Sequence, residues 1–181
     1  MSVRHVDATM GSQAVTLRPM QAQDLPLLHT WLQRDHVRQG WGDERLDTLE
    51  SVAIKYLPRT CGESSVTPFI AMVGGTPVGY CQSDVVAGDD FWPGETDPGA
   101  RGCDLFLGEG HLLGKGLGTE LVRALVDRLF ADPAVTKVQT DPSPDNARAI
   151  RCYEKAGFRP NKVVATPDGE ALLMVRERTR A

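Results

Sequence analysis

Leu113-Gly114-Lys115-Gly116-Leu117-Gly118-Thr119-Glu120-Leu121 puts three glycines on alternate positions directly ahead of a helix-like pattern. Leu117, Leu121, Leu125 and Leu129 recur every four residues, with Val122, Val126 and Phe130 one place on, so one stripe faces a core. A glycine-rich helix start leaves unpaired N–H groups at the positive end of the helix dipole, where phosphate binds. A P-loop is excluded, because Lys115 is followed by Gly116 and not by Ser or Thr. The Gly-x-Gly-x-Gly spacing also differs from the dinucleotide fingerprint. About 30 residues later comes Asn146-Ala-Arg-Ala-Ile-Arg-Cys-Tyr153-Glu-Lys-Ala-Gly157, a short helix with a tyrosine, closed by glycine. Ahead of both segments, between Asp84 and Asp104, lies a third feature. Asp84, Asp89, Asp90, Glu95, Asp97 and Asp104 face a single nearby base, Arg101. Such a group is either a solvated acidic loop or a surface that attracts a polycation. Asp141 and Asp168 could join it.

The elements that must position these residues read as follows. Ala14 to Arg18 alternates as a strand, and Asp24 is placed to cap a helix through Leu32, with Pro26 in its first turn. A second helix is expected from Asp47 to Tyr56. Pro68 to Val73 and Val78 to Val86 form a hairpin around Gly74-Gly75. Gly102 to Leu107 is a central strand leading to the glycine loop. After the helix of 117 to 131 come a strand at 136 to 140 and a helix beginning at Ser143-Pro144-Asp145-Asn146. Strands at 158 to 165 and 171 to 176 flank the turn Thr166-Pro167-Asp168-Gly169. This order implies an α/β (α+β) domain: a mixed, mostly antiparallel sheet with helices on both faces.

At 181 residues, with 41% apolar content, the chain suits one domain over residues 14–181, preceded by an irregular arm at 1–13. Its net charge of −4, without a basic run, argues against a nucleic-acid partner. No stretch is long and apolar enough for a membrane span, so no membrane partner is expected, and the compartment expected is the cytoplasm. The four cysteines include no Cys-x-x-Cys pair, which makes a zinc site or redox dithiol unexpected. They read as small buried or half-buried residues. The pattern leaves the oligomeric state open.

The glycine loop and the tyrosine helix together resemble the GNAT acyl-CoA-dependent N-acetyltransferases. That resemblance implies a pyrophosphate of acetyl-CoA held by Gly114, Lys115, Gly116, Leu117, Gly118 and Thr119. One departure is Leu113, apolar where the family usually has Gln or Arg, so a side-chain contribution there is not expected. Further segments narrow the likeness: Trp41-Gly42, Val66 to Met72, Glu95-Thr-Asp-Pro-Gly99, Gln139-Thr-Asp-Pro-Ser-Pro144 and Thr166-Pro-Asp-Gly169. They look like those of the bacterial aminoglycoside 6′-N-acetyltransferases, which confer antibiotic resistance. The resemblance implies a bacterial cytoplasmic enzyme acting on a small cationic aminoglycoside. Its ammonium groups would be held by Asp89, Asp104 and Asp141, with Asp168 peripheral. Trp41 would lie against the sugar rings, or else be a core or rim tryptophan.

The same resemblance implies direct attack of the amine on the thioester, with no acyl-enzyme. A main-chain N–H of Phe106 or Leu107 would be the oxyanion donor. Tyr153 would protonate the departing sulfur, and Asn146 would bind the pantetheine or serve the helix start. Asp104 or Asp141, directly or through water, would take the amine proton, although an aspartate near pKa 4 is a poor base unless burial raises it. Two rivals stand beside this reading: the same fold acetylating another cationic amine, such as a protein N-terminus or polyamine, and a non-catalytic module that senses CoA or a cation.

Overall fold

A computed structural model describes residues 8–10, 13–41, 45–88, 92 and 94–179. The order is β1 (Ala8–Met10), β2 (Gln13–Pro19), α1 (Leu25–Leu32), α2 (Asp35–Trp41), α3 (Leu49–Thr60), β3 (Val66–Val73), β4 (Thr76–Val85), β5 (Ala100–Leu107), α4 (Leu117–Phe130), β6 (Lys137–Thr140), α5 (Ala147–Lys155), β7 (Arg159–Thr166) and β8 (Gly169–Glu177). The strands form one sheet in the order β1-β2-β3-β4-β5-β6-β8-β7. All neighbours are antiparallel except β5 and β6. The expected mixed sheet with helices on both faces is present.

Alternation along the strands sends side chains to two separate cores. On one face Ile70, Tyr80 and Phe106 pack against α1, α2 and α3 with Trp31 and Tyr56. On the other, Phe69, Cys81, Cys103, Leu107, Val138 and Met174 pack against Leu117, Leu121, Leu125 and Tyr153 of α4 and α5. The stripe on α4 is therefore the core face that its four-residue spacing required.

The one parallel pairing is short. β5 and β6 match only at Ala100–Gly102 against Lys137–Gln139. β5 then continues for five residues, Cys103 to Leu107, while β6 ends at Thr140. A gap therefore opens in the middle of the sheet.

Several local expectations are corrected. Ala8–Met10, placed within an irregular arm, pairs as an edge strand with β2, whose outer edge offers an unpaired ladder. Helix α2 was not expected, since Val37 is its one buried residue and no apolar period marks it. Tertiary bonds hold it instead: His36 Nε2 donates to the Leu107 carbonyl at 2.9 Å. Asp24 does not cap α1. Its carboxylate takes two 2.7 Å bonds from Arg18 and one from the Gln21 N–H, which an ion pair outbids a neutral cap to secure. Helix α3 starts one turn's edge later than expected, at a reciprocal Thr48–Ser51 cap, and runs on to Thr60 through Pro58. The cap of α5 is Asn146, which accepts from the Ala149 N–H at 3.1 Å, so Pro144 precedes the helix and is not in its first turn. Cys61 is exposed, unlike the other three cysteines.

Candidate active site

The gap beside β5 gathers the chemistry from both faces. Gly108 N–H donates to the Val78 carbonyl at 2.8 Å. Counting back in twos along the β4–β5 register turns the main-chain groups of Phe106 and Asp104 toward β4 as well. Those of Leu105 and Leu107 point to the open edge, and the Leu107 carbonyl meets His36 there. Of the two residues expected to offer an oxyanion donor, Leu107 has the free edge and Phe106 faces the ladder.

Asp104 projects onto the face of α1–α3, beside Gln82, its partner across the ladder. Gln82 Nε2 and Thr140 Oγ1 each donate to the Asp104 carboxylate at 3.5 Å, which is long for a hydrogen bond. Gln82 is itself held by Arg59, whose guanidinium donates to Oε1 at 2.7 Å. Burial pushes the Asp104 carboxyl up to about 7, and the Asp84 charge adds to it, against the hydrogen bonds and Arg59. Asp141 follows Thr140 just past the end of β6. Burial pushes it up to about 8, followed by the charges of Asp104, Asp84 and Asp168. The two acids share one site, so their protons leave in steps that belong to the pair.

Tyr153 approaches from the other face. It is 7% exposed, packed edge-on against Phe158 with ring centroids 5.4 Å apart. Burial holds its phenol well above the ordinary value, the charges of Cys103 and Asp104 add to this, and a hydrogen bond with Thr140 opposes it. Thr140 thus touches Asp104 on one side of the sheet and Tyr153 on the other. The expected acid and the expected base meet through the gap.

The glycine loop fits a phosphate. Gly116 is the N-cap of α4 with φ 83°, Gly114 has φ 74°, and no side chain caps the helix. A Cβ at either glycine would meet nothing within 4 Å, so main-chain conformation, not crowding, selects glycine there. The first-turn N–H groups of α4 are left for a ligand. Lys115 is exposed, Leu117 and Thr119 are buried, and Gly118 lies against Cys152.

The aromatic wall is built by α2. Trp41 is half-buried, set edge-on to Phe106 at 5.0 Å and Tyr80 at 5.6 Å, and its Nε1 donates to the Tyr56 hydroxyl at 3.0 Å. Its neighbour Gly40 abuts the Asn146 amide, so α2 and α5 approach each other across the gap. Asp168 is exposed in the β7–β8 turn, and its charge reaches Asp141. Asp89 lies outside the described residues. Two acids of the expected run do other work: Glu95 pairs with Lys137 at 2.9 Å, and Asp97 accepts from Thr136 and the Gly99 N–H. They pin residues 95–99 to the start of β6. Sequence reasoning missed Thr140, Gln82, Arg59 and His36. Strand alternation puts Gln82 and Asp84 on one face of β4, and the β4–β5 register makes it the face of Asp104.

Cysteine chemistry finds no support here. Cys81 is pushed up to about 12 by burial, Cys103 is held well above the ordinary thiol value by burial first and the Asp104 charge next, and Cys152 is also raised by burial. None is held as a thiolate nucleophile.

The chain matches the family model described as acetyltransferase (GNAT) domain over residues 20–166. It is 51% identical to the aminoglycoside N(6′)-acetyltransferase type 1 of Klebsiella pneumoniae, covering 100% of this chain and 99% of that one. Among solved structures, aminoglycoside acetyltransferase AAC(6′)-Ib with coenzyme A and kanamycin superposes with TM-score 0.85 at 55% identity, over 91% of this chain and 95% of that one. The same enzyme with paromomycin and acetyl-CoA gives TM-score 0.86, at 55% identity and over 91% and 93% of the two chains.

Proposed function

This chain belongs to the GNAT acetyltransferase family, and from that premise we propose that it transfers the acetyl group of acetyl-CoA to the 6′-amine of aminoglycosides, so conferring resistance. The observation that carries the reading is the meeting, through one gap in the sheet, of a capless helix start and a tyrosine on one face with raised aspartates on the other. Relatives solved with coenzyme A and an aminoglycoside supply the substrate class. A bacterial cytoplasmic setting, where acetyl-CoA is made, goes with this reading, as does a single acetyltransferase domain whose sheet takes in β1 at Ala8–Met10.

In this mechanism acetyl-CoA supplies an activated acyl group on a thiol that leaves readily. The N–H groups of residues 114–119 bind its pyrophosphate, and the open edge of β5 lies along its pantetheine arm, with the Asn146 side chain at the α5 cap beside it. The Leu107 N–H is the donor for the carbonyl oxygen as negative charge builds there. The acceptor enters from the opposite face. Trp41 flanks its rings, while Asp104, Asp141 and Asp168 orient its ammonium groups.

An ammonium has no lone pair, so one amine must lose its proton before attack. Asp104 and Asp141 are raised into the range where a carboxylate accepts such a proton at neutral pH, directly or through one water. Tyr153 stays protonated at neutral pH and is the acid that meets the departing sulfur.

Steady-state kinetics test the assignment. Tyr153→Phe is expected to lower kcat about 100-fold with the acceptor KM nearly unchanged. Asp104→Asn is expected to lower kcat and raise the kanamycin KM together. Intact turnover in the first variant, with unchanged KM in the second, overturns both roles. Peptide N-termini or simple polyamines outpacing kanamycin would move the substrate class to the same-fold rival.

A further inference from the structure

One base stands on the acceptor face of the sheet, where its charge can only weaken the hold on a cation. Arg59 lies in the last turn of α3, and its guanidinium sits over the ring of Tyr56, three residues earlier, with Cζ 4.6 Å from the centroid. Its Nη1 donates to Gln82 Oε1 at 2.7 Å and to the Tyr80 hydroxyl oxygen at 3.3 Å. The Tyr80 hydroxyl in turn donates to Gln82 Oε1 at 3.0 Å. Tyr56 and Tyr80 are both fully buried and packed edge-on, so this corner is fixed by packing.

Two donors thus occupy the Gln82 carbonyl oxygen, and a guanidinium has no acceptor to offer. The amide must therefore keep its NH2 group toward Asp104, where Nε2 lies 3.5 Å from the carboxylate. A turned amide would set its NH2 against the guanidinium and its oxygen against Asp104. Only a protonated Asp104 could donate to an oxygen in that place, so the Arg59 contact disfavours the protonated form.

We infer that Arg59 is a positioning residue for acetyl transfer: it locks the Gln82 amide so that Asp104 meets the acceptor as a carboxylate able to take the amine proton. This rests on the acetyl-transfer reading above. The surroundings of Asp104 show why a lock is needed. Asp84 from β4 and Asp141 past β6 bring like charge, Cys103 on β5 and Tyr153 on α5 are held neutral nearby, and Thr140 gives a second donor. Burial, the largest cause, and Asp84 press a proton onto Asp104, while the Gln82 and Thr140 bonds and the Arg59 charge oppose them. Lys55, the other base of that part of α3, has its Nζ 5.8 Å from the Tyr56 ring centroid.

The test is the pH profile of kcat/KM for kanamycin, in which the acceptor's own titration is the same for every variant. Arg59→Met keeps a long stem over the Tyr56 ring but removes the charge and the donors. Its acid limb is expected to move up by about one pH unit, giving about tenfold less activity at pH 6 and a value within about twofold of wild type at pH 9. Arg59→Lys, which can still donate to Gln82 Oε1, is expected to restore most of the limb. Gln82→Met keeps the guanidinium and breaks the link, so it is expected to move the limb the same way, and it carries the test if Arg59→Met does not fold. An unmoved limb in either variant, an equal loss at every pH, or only a lower kanamycin KM from removing a repelling charge overturns the role. A carboxyl-carbon NMR titration of Asp104 reads the same change without turnover. A midpoint that Arg59→Met leaves in place removes the lock, whereas wild-type protein that fails to acetylate kanamycin removes the acetyl-transfer reading.

Discussion

An aspartate in water is ionised well below neutral pH and makes a weak base. Asp104 and Asp141 differ because burial and the neighbouring charges of Asp84 and Asp168 penalise their ionised forms. The sign of the consequence follows. Both carboxyls hold protons more tightly folded than unfolded, so their contribution weakens the fold as pH rises from about 4 through the folded values near 7 and 8. Asp141→Asn is therefore expected to stabilise the free protein at pH 8.5 by about 1 kcal/mol, or about 2–4 °C in Tm, and to give less at pH 5. Thermal melts at the two pH values check this, and a larger gain at pH 5 would refute it. A cationic acceptor reverses the preference, since it favours the ionised pair. Its affinity is expected to rise between pH 6 and 8 in the wild type and to rise less in Asp141→Asn.

In the proposed function, the element that decides co-substrate binding is the start of α4. Gly116 adopts φ 83° in open space, a conformation that glycine enters freely and alanine enters only with strain. Gly116→Ala is expected to cost about 1 kcal/mol of stability and to weaken coenzyme A about tenfold, because the first-turn N–H groups tilt away from the phosphates. Calorimetric titration with coenzyme A measures the second effect. An unchanged affinity would mean that the loop's side chains, and not its main chain, bind the nucleotide. Helix α2 is the opposite kind of element. Its own residues specify little, and it exists because His36 and Trp41 fasten it to the free end of β5.

At the scale of the whole molecule, the described sheet is a wall that opens between β5 and β6, and the proposed function gives each substrate its own side of it. Two clusters of buried side chains lie on the two faces: Trp31, Tyr56, Tyr80 and Phe106 centre the one under α1–α3, and the aliphatic stripe of α4 centres the other. A ligand that ties α4, α5 and β5 together should stabilise the entire fold by mass action. Coenzyme A at 100 times its Kd is expected to add about 2.7 kcal/mol, or about 5–10 °C in Tm. A melt that does not move at millimolar coenzyme A would contradict the assignment of the gap.

The α4 stripe, the Gly74-Gly75 hairpin, the glycine loop and the Tyr153 helix were legible in the chain, because each rests on contacts between residues close in sequence. Local periodicity and main-chain preference determine such features. The start of α5 was legible only in part, since four consecutive polar or proline residues could each open a helix and packing chose Asn146. The acidic run showed where negative charge collects but not which acids share a face. Glu95 and Asp97 turned out to brace residues 95–99 against the start of β6, whereas Asp84 lines up with Asp104. That division, the raised proton affinities, the free edge at Leu107 and the Thr140 bridge arise where β5 and β6 part. They depend on groups distant in sequence and on water being excluded between them, and only the assembled sheet supplies both.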